Sequence, residues 1–261
     1  MPHSRFPILG DRSHSVYFAG VCTLRVLAIA SRKGGAGKTT VVGHLAVAAE
    51  LAGYGPVAIV DLDPQGSLAD WWNRREARYP YFVQTKLSRL QDDIVAIRRL
   101  GIKLLMIDTP PALTNAIRHI VALADLVVLP VRPSPHDLRS VGGTLAVVDD
   151  LQKPFLFVLS AASPRAHITR EARAVLAECG QVAQATLHSR VDYAASMVDG
   201  RTVMEIAGAQ KSSIEIKALW DEVHAQLEMI EARERAAQCG HPAQVQDSEP
   251  EPEVHKIVGG R

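Results

Sequence analysis

The run Arg32-Lys33-Gly34-Gly35-Ala36-Gly37-Lys38-Thr39-Thr40 decides how this chain is read. It follows an apolar, partly β-branched stretch at 24–31 that reads as a buried strand. After it, over 38–52, Val41, Leu45, Ala48 and Leu51 recur at helical spacing. Strand, glycine turn and helix in that order make a phosphate cradle. Glycine lets backbone N–H groups turn inward with no Cβ in the way, and the helix start adds its positive dipole end. Lys38 is placed to bridge β- and γ-phosphates, the Thr39 hydroxyl to ligate Mg²⁺, and Thr40 to donate to the α-phosphate. The general pattern G-x-x-x-x-G-K-[ST] asks for glycine where Arg32 stands, and a second lysine, Lys33, sits beside it at the start of the loop.

Two further segments point at the same place. The apolar run 56–62 reads as a strand buried in a parallel sheet and delivers Asp61-Leu62-Asp63-Pro64-Gln65-Gly66-Ser67. Residues two apart on a strand face one side, so Asp61 and Asp63 both approach the phosphates if the extended form persists. One carboxylate then holds the metal's water shell and the other orients the attacking water. The strand 103–108 delivers Asp108-Thr109-Pro110-Pro111, with Asp108 holding Mg²⁺ through water.

Elsewhere, 87–100, 116–124, 136–151 and 168–179 read as helices, 126–131 and 155–160 as strands, and 186–189 as a short last strand. The stretch 71–84 is less regular. Strands alternating with helices specify the α/β class: a single domain with a mostly parallel, twisted sheet and helices on both faces. Each phosphate-site motif falls at the carboxyl end of a strand, where such sheets bind ligands. A long helix at 213–237 carries an apolar stripe of Ile216, Leu219, Trp220, Val223, Leu227 and Ile230. The expected divisions are an irregular extension at 1–23, a nucleotide-binding domain at 24–237 and a disordered polar tail at 238–261.

Composition narrows the partners. The 261 residues are 47% hydrophobic, enough for one core, and a net charge of +1 gives no global pull toward DNA or acidic lipid. The three cysteines are dispersed with no C-x-x-C, which fits reduced thiols better than a disulfide frame or an iron–sulfur site. The histidines form no H-E-x-x-H, which argues against zinc. No run of 18 apolar residues occurs, and the acidic Glu249-Pro250-Glu251-Pro252-Glu253 opposes a stable seat on anionic lipid.

The loop from Lys33 to Thr40, the segment from Asp61 to Ser67 and Asp108-Thr109-Pro110-Pro111 together resemble the ParA/MinD family of deviant Walker A P-loop ATPases. Arg190-Val191-Asp192-Tyr193 and Gly200-Arg201-Thr202-Val203 are similar to the small, ParF-like partition proteins. The resemblance spans about 24–220 and implies a slow ATPase that dimerises on Mg-ATP. Lys33 would cross to the partner's phosphates, while Lys38, Thr39, Thr40 and Asp108 serve their own subunit. Asp63 would position the water, with Asp61 supporting the metal shell. It further implies a cytoplasmic protein, nucleoid-associated when ATP-bound, that segregates plasmid or chromosomal DNA, binds DNA nonspecifically and is reset by a centromere-bound ParB-like or ParG-like adaptor. The alternative is a relative that positions a protein cargo or acts at the membrane as MinD does. Too few residues precede the first strand here for the helix-turn-helix domain of larger members.

Two features depart from the resemblance or leave it thin. Ser160-Ala161-Ala162-Ser163 lacks the asparagine that reads the base in relatives, so the adenine contact is unassigned. Between 151 and 217 eight basic residues stand against six acidic ones, too small a surplus to mark a DNA footprint by itself. Arg165, Arg190, Arg201 and Lys211 are the candidate DNA contacts.

Overall fold

β1 (Arg25–Ile29) is buried along its whole length and lies at the middle of the sheet. The computed structural model describes residues 23–111 and 115–239, so the expectations for 1–22 and 240–261 lie outside the described residues. β2 (Val57–Asp61), β3 (Tyr81–Phe82), β4 (Leu104–Asp108), β5 (Leu126–Val131), β6 (Phe155–Ala162) and β7 (Val182–His188) complete the sheet. Their order is β3-β2-β4-β1-β5-β6-β7. Every pairing among these strands is parallel, so the expectation of a mostly parallel sheet is met.

Strand periodicity sorts the core into two layers. Leu27 and Ile29 of β1, Val57 and Ile59 of β2, and Leu104 and Met106 of β4 face one side. There they meet α1 (Lys38–Leu51), α2 (Ser67–Asn73), α7 (Val191–Met197) and α8 (Gln210–Cys239). Val26, Ala28, Ala58, Val60, Leu105 and Ile107 face the other side. They meet α3 (Leu90–Arg99), α4 (Asn115–Leu123), α5 (Pro135–Asp150) and α6 (His167–Cys179). The α8 stripe packs as expected: Ile216, Leu219, Trp220, Val223 and Leu227 are buried and Ile230 lies at the margin. Each such side chain contributes about 1.5–3 kcal/mol of burial.

Four local expectations change. β3 and α2 replace the irregular stretch at 71–84; two residues of strand carry no readable period, and α2 is only seven residues long. β7 begins at Val182 rather than 186, because its inward residues there are the small Ala183 and Ala185, which give little apolar signal. α7 follows it where only a motif was read. α8 runs past the expected boundary at 237 to Cys239. Its far half is pinned by the buried Arg25, which donates to Glu231 at 3.2 Å and to Glu234 at 2.6 and 3.0 Å.

Register sets up the site. Ile29 pairs with Asp108, and Asp61 pairs with Asp108 from the other side. The phosphate loop and both strand-end carboxylates therefore leave the sheet at one level, at its carboxyl edge.

Candidate functional site

The loop after β1 takes the form the glycines allow. Gly35 and Gly37 have φ of 77° and 91°, a region that side chains with a Cβ rarely enter. Gly37 caps α1 in that conformation, and its carbonyl accepts the Val41 N–H at 2.9 Å, so the N–H groups of the first turn are left open toward a ligand. From the next strand pair, the Ser160 hydroxyl at the end of β6 donates to the Ala36 carbonyl at 2.8 Å and fixes the loop's outer edge.

Lys38 is almost wholly buried at the first residue of α1. Burial lowers its ammonium below the ordinary lysine range, and the charges of Asp108 and Asp63 pull the other way. Thr39 donates to Asp108 Oδ2 at 2.6 Å. Burial pushes the Asp108 carboxyl up to about 7 against that hydrogen bond and the Lys38 charge, with Asp61 and Asp63 adding to the rise. Its other oxygen, Oδ1, is buried without a hydrogen-bond partner. A buried hard oxygen with an open lone pair, next to a threonine hydroxyl and a lysine at a phosphate loop, fits a magnesium ion and its water shell.

Asp61 and Asp63 differ from each other more than strand alternation suggested. The extended form ends at Asp61, so the alternation does not carry on to Asp63. Asp61 accepts the N–H of Asp63 on one oxygen, and those of Leu68 and Ala69 on the other, all at 3.0 Å. It thereby turns the chain and holds the start of α2. Burial raises its carboxyl even so. Asp63 accepts the Gln65 N–H at 2.9 Å and acts on Lys38 and Asp108 through its charge.

Lys33 meets its own chain. Its Nζ lies 2.7 Å from Asp137 Oδ2, with the lysine side chain 43% exposed and the aspartate 5%. Asp137 sits in the first turn of α5, where Ser134 caps the helix by accepting the Asp137 N–H and Pro135 follows. Burial works against the carboxylate, but Lys33 and Ser134 outweigh it and hold it below the usual range. The sequence Ser134-Pro135-His136-Asp137 carries the signal of a capped helix start and could have drawn attention to Asp137.

Beside the loop opens a cleft of about 250 Å³, walled by Gly35, Gly37, Thr40, Ser160, Arg190 and Tyr193 among others. Arg190 donates to Glu215 of α8 from Nε at 2.9 Å and Nη2 at 2.6 Å. Glu215 also accepts from the Tyr193 hydroxyl at 2.8 Å and the His188 backbone N–H at 3.0 Å. One carboxylate thus fixes three residues of the cleft wall. Nothing in the spacing of Glu215 marked it for this.

The candidate DNA contacts do not assemble into one free patch. Arg190 is the cleft residue just described, with its charge met by Glu215. Arg201 is paired with Asp199 at 2.6 Å. Arg165 lies exposed in the turn before α6, and Lys211 lies exposed in the first turn of α8.

Comparisons with known proteins follow the same lines. The profile described as the CobQ/CobB/MinD/ParA nucleotide binding domain matches residues 27–203. The chain is 30% identical over 209 residues to the maintenance of carboxysome distribution protein A of Halothiobacillus neapolitanus, covering 76% of this chain and 95% of that one. It is 31% identical over 159 residues to the chromosome-partitioning ATPase Soj of Thermus thermophilus, covering 49% of this chain and 63% of that one. Among solved structures, a variant of Cyanothece McdA in complex with ATP superposes with a TM-score of 0.64 at 18% identity, over 80% of this chain and 98% of that one. That likeness is one of fold.

Proposed function

The chain belongs to the CobQ/CobB/MinD/ParA nucleotide-binding family, and from that premise we propose that it is an ATP-switched positioning protein. Mg-ATP pairs two copies, the pair holds a cellular surface such as nucleoid DNA, and hydrolysis stimulated by a cargo-bound partner releases it. The observation that carries this reading is the pair of lysines in one loop with opposite situations. Lys38 is buried over the phosphate seat, and Lys33 is half exposed at its rim on a single ion pair. A buried lysine serves its own nucleotide; a rim lysine can be exchanged to another chain's.

In chemical terms, Lys38 and the N–H groups of Gly37 to Thr40 bind the phosphates. Thr39 and Asp108 would hold magnesium, which when bound supplies charge neutralisation at the phosphate oxygens. Asp63 orients the attacking water, and Asp61 keeps Asp63 in place through the turn it caps. Lys33, once free of Asp137, neutralises charge that builds on the partner's phosphates.

For the cargo, similarity over 95% of a protein named for carboxysome distribution favours a protein body as strongly as the Soj likeness favours DNA. The small basic surplus and the two neutralised arginines favour weak, dimer-dependent contact with any DNA surface. Light scattering and DNA co-sedimentation test the switch with Mg-ATP and Mg-ADP. Pairing and DNA retention are expected with ATP alone, and equal behaviour in both nucleotides discards the switch. Among the described residues no helix is long and apolar enough to cross a membrane. Flotation with vesicles separates this reading from a MinD-like one.

A further inference from the structure

We propose that Arg132 is a phosphate-binding residue of this site, its guanidinium gripping the α- and β-phosphates of the nucleotide held by its own chain. The proposal rests on the nucleotide reading of the cleft and adds to it a residue that no motif marks.

Arg132 is the first residue after β5, at the carboxyl edge of the sheet and next to β1, which carries the phosphate loop. The turn that follows is fixed: the Ser134 N–H donates to the Arg132 carbonyl at 2.8 Å, and α5 begins at Pro135. From this base the side chain returns over the loop. Its Nη2 lies 3.5 Å from the position a Cβ on Gly35 would take. It walls the same cleft as Gly35, Gly37 and Thr40.

The charges around it make the placement informative. Lys33 is met by Asp137 and Arg190 by Glu215, whereas Arg132, whose charge reaches Asp137 only at a distance, has neither a side-chain hydrogen bond nor an ion pair among the described residues. The one carboxylate that feels its charge, Asp137, is already bonded to Lys33 and Ser134, so the guanidinium lies without a direct anionic partner against a loop that already carries Lys38 and the positive end of α1. An anion bound there would give the guanidinium the direct partner it lacks. The planar fork of arginine suits two phosphate oxygens at once. A lysine here would keep the charge and lose the fork.

The test is calorimetric titration of the full chain with Mg-ATP, Mg-ADP and AMP, for the wild type, R132A and R132K. Affinity for both Mg-ATP and Mg-ADP should fall about 10- to 100-fold in R132A, the range of a charge-assisted hydrogen bond. R132K should recover part of it, and the urea midpoint without nucleotide should not move. Equal affinities in the wild type and R132A overturn the role of Arg132 and leave the site intact. A loss for Mg-ATP with none for Mg-ADP overturns the α- and β-phosphate placement. A wild type that takes up neither nucleotide overturns the reading of the cleft and the proposal with it. If R132A folds poorly, the R132K and wild-type curves carry the comparison, and identical curves count against the proposal.

Discussion

Lys33 Nζ lies 2.7 Å from Asp137 Oδ2, so the lysine expected to cross to a partner is held by its own chain. Asp137 is nearly buried and Lys33 is not, and the carboxylate is already served by the Ser134 hydroxyl. The pair resembles a latch that one side can leave. Its strength bears on how readily two copies join. Asp137→Asn keeps the shape and weakens the hold on Lys33, so the Mg-ATP concentration for half-maximal pairing should fall about three- to tenfold, in keeping with a partly exposed ion pair of about 1 kcal/mol. Sedimentation velocity across an ATP series reads this directly. An unchanged midpoint would mean that Lys33 moves at no cost or has no role in pairing.

Asp108 offers a second check, this time through pH. Its carboxyl is pushed up to about 7 by burial, whereas magnesium needs the carboxylate. Below pH 7 a proton must leave before the ion can be held, so the gain in ATP affinity on adding Mg²⁺ should shrink by up to about tenfold per pH unit. Above pH 8 it should level. Asp108→Asn should lose both the gain and its pH dependence. Titrations at pH 6, 7 and 8 with and without Mg²⁺ decide it.

Much of this site was legible because its signals are local. Strand, glycines and lysine are contiguous, and Asp108 closes an apolar run that could hardly be anything but a buried strand. What stayed hidden depends on chain segments far apart in sequence. Asp137 meets Lys33 across 104 positions, and Ser160 meets Ala36 across 124. Glu215 reaches the cleft from a helix whose apolar stripe dominates its pattern. Asp61 and Asp63 show the opposite failure. A sound local rule, strand alternation, ended two residues short of Asp63, because the Asp61 carboxylate captures the N–H of Asp63 and bends the chain.

The consequence for Asp63 is a prediction of its own. Held by its bond to the Gln65 N–H, it lies near enough to Lys38 and Asp108 to act on both charges. Asp63→Ala should still bind Mg-ATP and pair, yet hydrolyse about 10²- to 10³-fold more slowly, the scale of a lost water-positioning group. Single-turnover phosphate release separates the two effects. Normal turnover would return the water to another residue.

His44 ties the nucleotide loop to α7 and should set the acid limit of the fold. It is fully buried nearly two turns into α1. Its Nδ1 lies 2.8 Å from the Thr40 carbonyl, which only accepts, so Nδ1 carries the proton. The other ring nitrogen lies 3.4 Å from the Ser196 hydroxyl, and the ring meets Tyr193 edge-on. Burial lowers the imidazole to about 4 against the pull of the Thr40 hydrogen bond. The unfolded chain, with an ordinary imidazole near 6.5, therefore binds the proton first. Stability from this group is complete above pH 6.5 and is lost as pH falls toward 4, by about 2 kcal/mol at pH 5. Urea midpoints of the wild type should drop accordingly between pH 7 and pH 5. His44→Gln should be less stable at pH 7 but flatter across that interval. A variant that loses stability as steeply as the wild type would place the acid lability in the carboxylates instead.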